Sequence, residues 1–360
     1  MWALLLVAST LLIFTIPLLP ALREWRGKED IASLPIVRSH DGRVQRFADS
    51  FRDYIEVEIE AISANALDDT QRARLHIVKL EDQTEVPQHL LQNGLCDHML
   101  VSYHTLTLPS DTVFEREIYS KQSLLGGEHN RLRAVLADQE LILGKGSMVL
   151  RWAHATSVSI GADCVLLGKI SATTDITIAT GCTFTTLHAP RMQFGATPPR
   201  PGPPHPVPTA ACPDTDDQRA QGQATDEPAN IRQRVDGMAQ VPDGSVFHGD
   251  LIATKTVTVG RGAIVTGSIK SNGALIIGDD AIIEGALVSV KALSIGRNCK
   301  IKGPVVAETH IVVGTQTVIG EANLPTTVTA RTIDIADGVT AFGSIRARDQ
   351  GRVIAWEQAT

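Results

Sequence analysis

Aromatic residues are scarce in this chain, at 4% of 360 residues. A helical bundle of this size would want more large side chains in its core, so the scarcity favours a narrow, tightly wound β body. Cysteine is also sparse. There are five, an odd number, and no CxxC pair occurs, so neither a disulfide framework nor a zinc site is indicated. The net charge of −7 supplies no basic face of the kind nucleic acid requires. The eleven histidines show no HxxxH or HExxH spacing, and no GxxxxGK[ST] loop is present. The sequence therefore indicates no cofactor, no metal, no nucleotide and no nucleic-acid partner.

What the sequence does have is glycine at fixed intervals. Gly260, Gly278, Gly296 and Gly314 stand 18 residues apart, each closing an apolar triplet. Seven residues further on, Gly267, Gly285 and Gly303 form a second series. Three residues after each first-series glycine lies a small side chain: Ala263, Ala281, Cys299 and Thr317. The same pattern occurs earlier, at Gly126, Gly144, Gly161, Ala179 and Gly195, with Ser147, Cys164 and Cys182 in the small-residue position. Weaker copies close the chain at Ala336 and Gly343. A fixed period with fixed glycines marks stacked, equivalent turns of chain.

The apolar residues run in threes to fives and alternate with period two, which is a strand pattern. Eighteen residues at about 3.3 Å each make a loop roughly 60 Å around, which folds into three short strands. The expected fold is all-β: a parallel β-helix, a solenoid with about 18 residues per turn. Stacked turns place like residues over like, so the seven small residues from Ser147 to Thr317 read as a buried core ladder, cysteines included. The glycines read as corners that need either positive φ or no side chain. Cys96 and Cys212 lie outside the ladder.

Between Gly195 and Gly260 the spacing is 65, which exceeds one turn by 47. The expectation is a corner insert at 196–243 around which the winding continues. It contains TPPRPGPPHPVP and a polar run, a composition unsuited to packing. Its PxxP spacing (Pro198, Pro201, Pro204) suits a polyproline ligand for a protein partner.

The N-terminus differs in kind. Residues 2–22 carry no charge and are long enough to cross a bilayer as a helix. A cleaved signal peptide would want a basic leader and a small-x-small site, and neither is present. Arg23, Arg26 and Lys28 follow, so the positive-inside rule places the bulk of the chain in the cytoplasm. The expected localisation is a single-pass anchor, 1–23, in the inner membrane. A linker and small α+β region, 24–112, comes next. Within it Val44, Phe47, Phe51, Ile55, Ile59 and Ile62 mark an amphipathic helix over 42–65 that packs on its own domain. The solenoid is then expected as two halves, 113–195 and 244–355.

The run IGDDAIIEGALVSVKALSIGRNCKIKGPVVA resembles the bactofilins, whose repeat has the form IG-xx-A-x-V-x-G-x-I-x-A. The matches include Gly260/Gly267/Ile269, Gly278/Gly285/Leu287 and Gly296/Gly303/Val305, strong over 244–320 and fair to 350. Residues 116–155 look like an extension of the same solenoid in larger, membrane-anchored relatives. The resemblance implies a right-handed β-helix, end-to-end self-association without nucleotide, and a scaffold role in bacterial cell shape or envelope assembly. A second reading is a left-handed hexapeptide-repeat acyltransferase, which is also built from coils of this length. Ile277, Ile283 and Ile295 fit its spacing, Ser289 breaks it, and His188 or His205 would supply the base. His154 and His248 sit near corners and read as structural. A third is a binding module that recruits a partner through the insert.

Overall fold

The computed structural model describes Trp2 and residues 46–63, 77–80, 83–195 and 232–355. By its internal contacts the chain divides after Arg43, and all described residues except Trp2 belong to the second unit. The expected anchor and most of the expected insert lie outside the described residues. No helix among the described residues is long and apolar enough to cross a membrane.

The second unit is a parallel β-solenoid of about 13 turns with a spacing of about 18 residues. Its strands fall on three faces. In the C-terminal coil one face stacks Leu251, Ile269, Leu287 and Val305, each paired with its equivalent in the next turn. Along each strand burial alternates: Val257 and Val259 are inside, and Thr258 between them is not. Leu275/Ile277, Leu293/Ile295 and Ile311/Val313 repeat this above it. Each such Ile, Leu or Val contributes about 1.5–3 kcal/mol by leaving water. One turn is longer. Val305 pairs with Val328, further along the chain than the period gives, because a turn closed by the Glu321–Leu324 bridge is added at one corner.

The solenoid starts earlier than the repeat suggests. Ile77–Leu80 and Met99–Ser102 already stack as turns beneath Val113–Ser120, so 77–112 belongs to the coil and is not a separate α+β region. Its repeat is hidden because the step from Ile77 to its partner Met99 exceeds the period, with a short 3-10 helix, Gln88–Leu90, in the excess. The expected amphipathic helix is present as α1, Arg46–Ser63. Ala48 and Ile55 bury themselves against Val101, Tyr119 and Leu136 on the outside of the coil. Arg52 and Tyr119 both bond Asp138, at 2.9 Å each, and fix the helix there.

The larger correction concerns the insert. The last strand before it, Thr183–Phe194, does not lie under the turn that follows the insert. It pairs antiparallel with Thr340–Ile354, the last strand of the described chain. Phe194 N–H donates to Val339 O at 3.0 Å, and Gly338 N–H to Phe194 O at 2.8 Å. Gly181 N–H donates to Val353 O at 2.8 Å, and Val353 N–H to Cys182 O at 2.9 Å. The molecule is therefore two coils, 77–195 and 232–354, that meet tail to tail. The winding does not continue around the insert. Residues 232–243, assigned to the insert on composition, form strands of the second coil's first turn. From that turn to the seam is six steps of about 4.8 Å, roughly 29 Å. Residues 196–231 join the seam to the opposite end of the second coil.

Candidate functional site: the open terminal turn

The repeat glycines have a physical reason that spacing alone left open. A Cβ on Gly285 would run into the backbone of Gly267 one turn below, and a Cβ on Gly303 into that of Gly285. Gly285 and Gly303 permit close stacking of corners and do not need positive φ, whereas Gly195 and Gly343 do have it, at 76° and 115°. One column of left-handed residues stands two places after an anchor of the first series: Gly146, Asp163, Gly181, Gly262, Asp280, Asn298, Gln316 and Gly338. The sequence signal was present there, a column rich in Gly, Asp and Asn, which tolerate that region best.

The small-residue ladder is internal. Ser147, Cys164, Cys182, Ala263, Ala281, Cys299 and Thr317 are all at most 1% exposed. Their polar members share one bond. The Cys164 thiol donates to Gly144 O, Cys182 to Gly161 O, Cys299 to Gly278 O and the Thr317 hydroxyl to Gly296 O, at 2.9–3.3 Å. Ser147 bonds Gly127 O at 3.2 Å. Each ladder donor thus satisfies a corner carbonyl of the turn below, which a buried carbonyl requires. Burial raises the Cys299 thiol to about 11. The neighbouring Cys164 thiol, together with burial, pushes Cys182 far above the ordinary value. The Cys182 and Cys299 thiols, held protonated and enclosed, are not nucleophiles, whereas the bond from Cys182 lowers the pKa of Cys164. Thr112 and Asn130 extend the same ladder downward, bonded to each other at 3.0 Å. A second file, Ser271 and Ser289, buries its hydroxyls on Lys255 O and Gly273 O of the turn below, at 2.7 and 2.9 Å. So Ser289, which broke the hexapeptide pattern, is a corner-satisfying core residue.

Three histidines, His154, His188 and His310, bond hydroxyls across turns. His154 Nδ1 lies 2.8 Å from Ser171 Oγ, and burial lowers its pKa. His188 Nδ1 lies 2.7 Å from Ser344 Oγ, across the seam, and burial lowers its pKa too. The residue considered as an acyltransfer base is thus a fastening between the two coils. His205 and Cys212 lie outside the described residues. Among the described residues no cluster of three or more His, Cys, Asp or Glu could hold a metal.

The ends of the coils differ. At the start of the first coil Leu80, Val86 and Leu90 are buried, at 2%, 6% and 8% exposed, with Val78 and Leu91 partly covered, so more of the core is covered there. Both tails are closed on each other. At the start of the second coil the terminal turn is Arg232–Val235, Ala239–Val241 and Val246–Phe247. Among the described residues it pairs on one side only, with the turn 250–265. Gln233 stands in register with inward Leu251 yet is exposed, and Val235, Ala239 and Phe247 are only partly covered. Met238 and Val246 beside them are 74% and 53% exposed. This is a strand edge and a core cross-section presented together, a template for pairing. The chain matches no family model, no curated protein and no solved structure.

Proposed function

We propose that this chain is a membrane-anchored, self-associating scaffold of the bactofilin kind, organising bacterial cell shape or envelope assembly from the cytoplasmic face without nucleotide. The observation that carries the reading is the open terminal turn, residues 232–247. Among the described residues it leaves one rung of backbone donors and acceptors unpaired beside incompletely covered apolar residues. The seam supports it, because there two terminal turns of this same chain already join in antiparallel register on three faces. A second copy can meet the open turn in the same way. The winding is taken as right-handed, the hand the resemblance implies, and the charge-free segment 2–22 as the anchor.

The test is self-association of the full-length chain, reconstituted in nanodiscs and sized by sedimentation with and without ATP or GTP. Gln240 lies between Ala239 and Val241, whose backbones bond the next turn. Strand alternation therefore puts its N–H on the open side. Gln240→Pro should leave the melting temperature unchanged and weaken association by about tenfold or more, the equivalent of one or two backbone bonds. A chain that stays monomeric at every concentration, or association that Gln240→Pro leaves intact, would remove this reading.

A further inference from the structure

The outer wall of the first coil carries a groove along the corner between two of its faces. Its first stretch, a cavity of about 540 Å³, is lined by Val113, Glu115, Arg116, Arg131, Arg133 and Leu150. The adjoining stretch, about 460 Å³, is lined by Phe47 of α1, Trp152, Leu167, Lys169 and Thr185. Leu150 and Arg151 line both, so the two are continuous.

The charge of the groove opposes that of the chain. Arg116, Arg131, Arg133, Arg151 and Lys169 line it together with Glu115, and Glu117 lies beside Arg133 and Arg151, in a chain of net charge −7. The arginines are positioned but not used up. Arg116 Nε donates to Asp97 O at 2.8 Å, Arg133 Nε meets Glu117 Oε1 at 3.2 Å, and Arg133 Nη1 donates to Glu115 O at 3.3 Å. Arg151 is 3.9 Å from the same carboxylate. A guanidinium has five N–H donors, so each of these keeps further N–H groups for an oxyanion.

The other stretch is apolar. Phe47 and Leu167 are 52% and 53% exposed. Trp152 is held edge-on by Phe51 at 5.2 Å, and Lys169 Nζ sits 4.6 Å from the Phe47 ring. Arg131 and Leu167 are two turns apart in the stack, about 10 Å along its axis. A cationic stretch next to an apolar one at that separation matches a molecule with an anionic head and a short hydrocarbon tail.

We propose that this groove binds a single-chain anionic amphiphile: a phosphate head on Arg116, Arg131 and Arg133, and an alkyl chain along Leu150, Leu167 and Phe47. The proposal does not depend on self-association. A single-stranded nucleic acid would want a row of aromatic platforms along the groove. Of the aromatic residues here, Phe114 is buried, and Phe47 and Trp152 already pack on Lys169 and Phe51.

The full-length chain in zwitterionic nanodiscs is titrated by calorimetry with hexyl phosphate, inorganic phosphate and hexyl glucoside. Hexyl phosphate should bind at least about tenfold tighter than either of the others, since head and tail each contribute that much. Arg131→Gln with Arg133→Gln should weaken hexyl phosphate about tenfold without changing the melting temperature, because both side chains are exposed. Leu167→Ser should weaken hexyl phosphate and leave inorganic phosphate as it was. Inorganic phosphate binding as tightly as hexyl phosphate would overturn the proposal in favour of a simple anion patch. Equal binding of hexyl glucoside would overturn the role of the arginines, and no saturable hexyl phosphate binding would overturn the whole. The three-ligand comparison needs no variant and stands even if a substitution fails to fold.

Discussion

Phe184 and Gly351 test the tail-to-tail seam directly. They are far apart in the chain and are paired Cα partners across the seam. Phe184 is 1% exposed, with its ring also packed on Phe194 at 6.3 Å between centroids. A Cβ built on Gly351 would collide with the edge of the Phe184 ring. Phe184→Ala therefore leaves a cavity and should cost about 3–5 kcal/mol. Gly351→Ala over-fills the same space and should cost about 1–3 kcal/mol. Combined, the new methyl occupies part of the space the ring vacated. The double variant should then be less destabilised than the sum by about 0.5–3 kcal/mol, the range seen for residues in contact. Urea unfolding of the full-length chain, followed by far-ultraviolet circular dichroism, measures all four corners of the cycle. Had the winding continued past the insert, residues 184 and 351 would sit many turns apart and their effects would add. Additivity within about 0.5 kcal/mol would refute the seam.

Two further outcomes follow from the core. Gly262 has φ of 65° with open space around its missing Cβ, whereas Gly285 stacks on the Gly267 backbone. Gly262→Asn should cost only a few tenths of a kcal/mol, as Asn298 occupies the equivalent position, while Gly285→Asn should cost about 2 kcal/mol or more; equal melting temperatures for the two variants would remove the distinction between the glycine columns. Cys299 is held protonated to about pH 11 by burial, against an ordinary value of 9.0. Its folded-state pKa is the higher one, so the stability it contributes is complete below pH 9.0 and is lost as pH rises toward about 11. Denaturation measured across that window should fall by up to about 1.4 kcal/mol per pH unit on this account. Cys299→Ala should flatten the fall, and an unchanged slope would remove the thiol as its source.

The sequence by itself determined the turn. Glycines at a fixed period, strand-period apolar triplets and a column of small residues fix a solenoid, because stacked turns force equal sizes at equal phase. The ladder cysteines and α1 were legible for the same reason: their patterns are local. The first turns were not legible, since extra residues at one corner break the period between Ile77 and Met99 while leaving the strand pairing intact. Nor was the order of the two coils. A turn ending at Gly195 and one beginning at Arg232 look alike whether the second sits directly on the first or at the far end of its own coil, because a repeat pattern specifies what lies within a turn. It does not specify which end of a coil meets which. Only the tertiary structure decided that, by pairing Thr183–Phe194 with Thr340–Ile354, burying Phe184 over Gly351 and closing His188 on Ser344. That pairing closes both tails, while among the described residues the turn at 232–247 is paired on one side only.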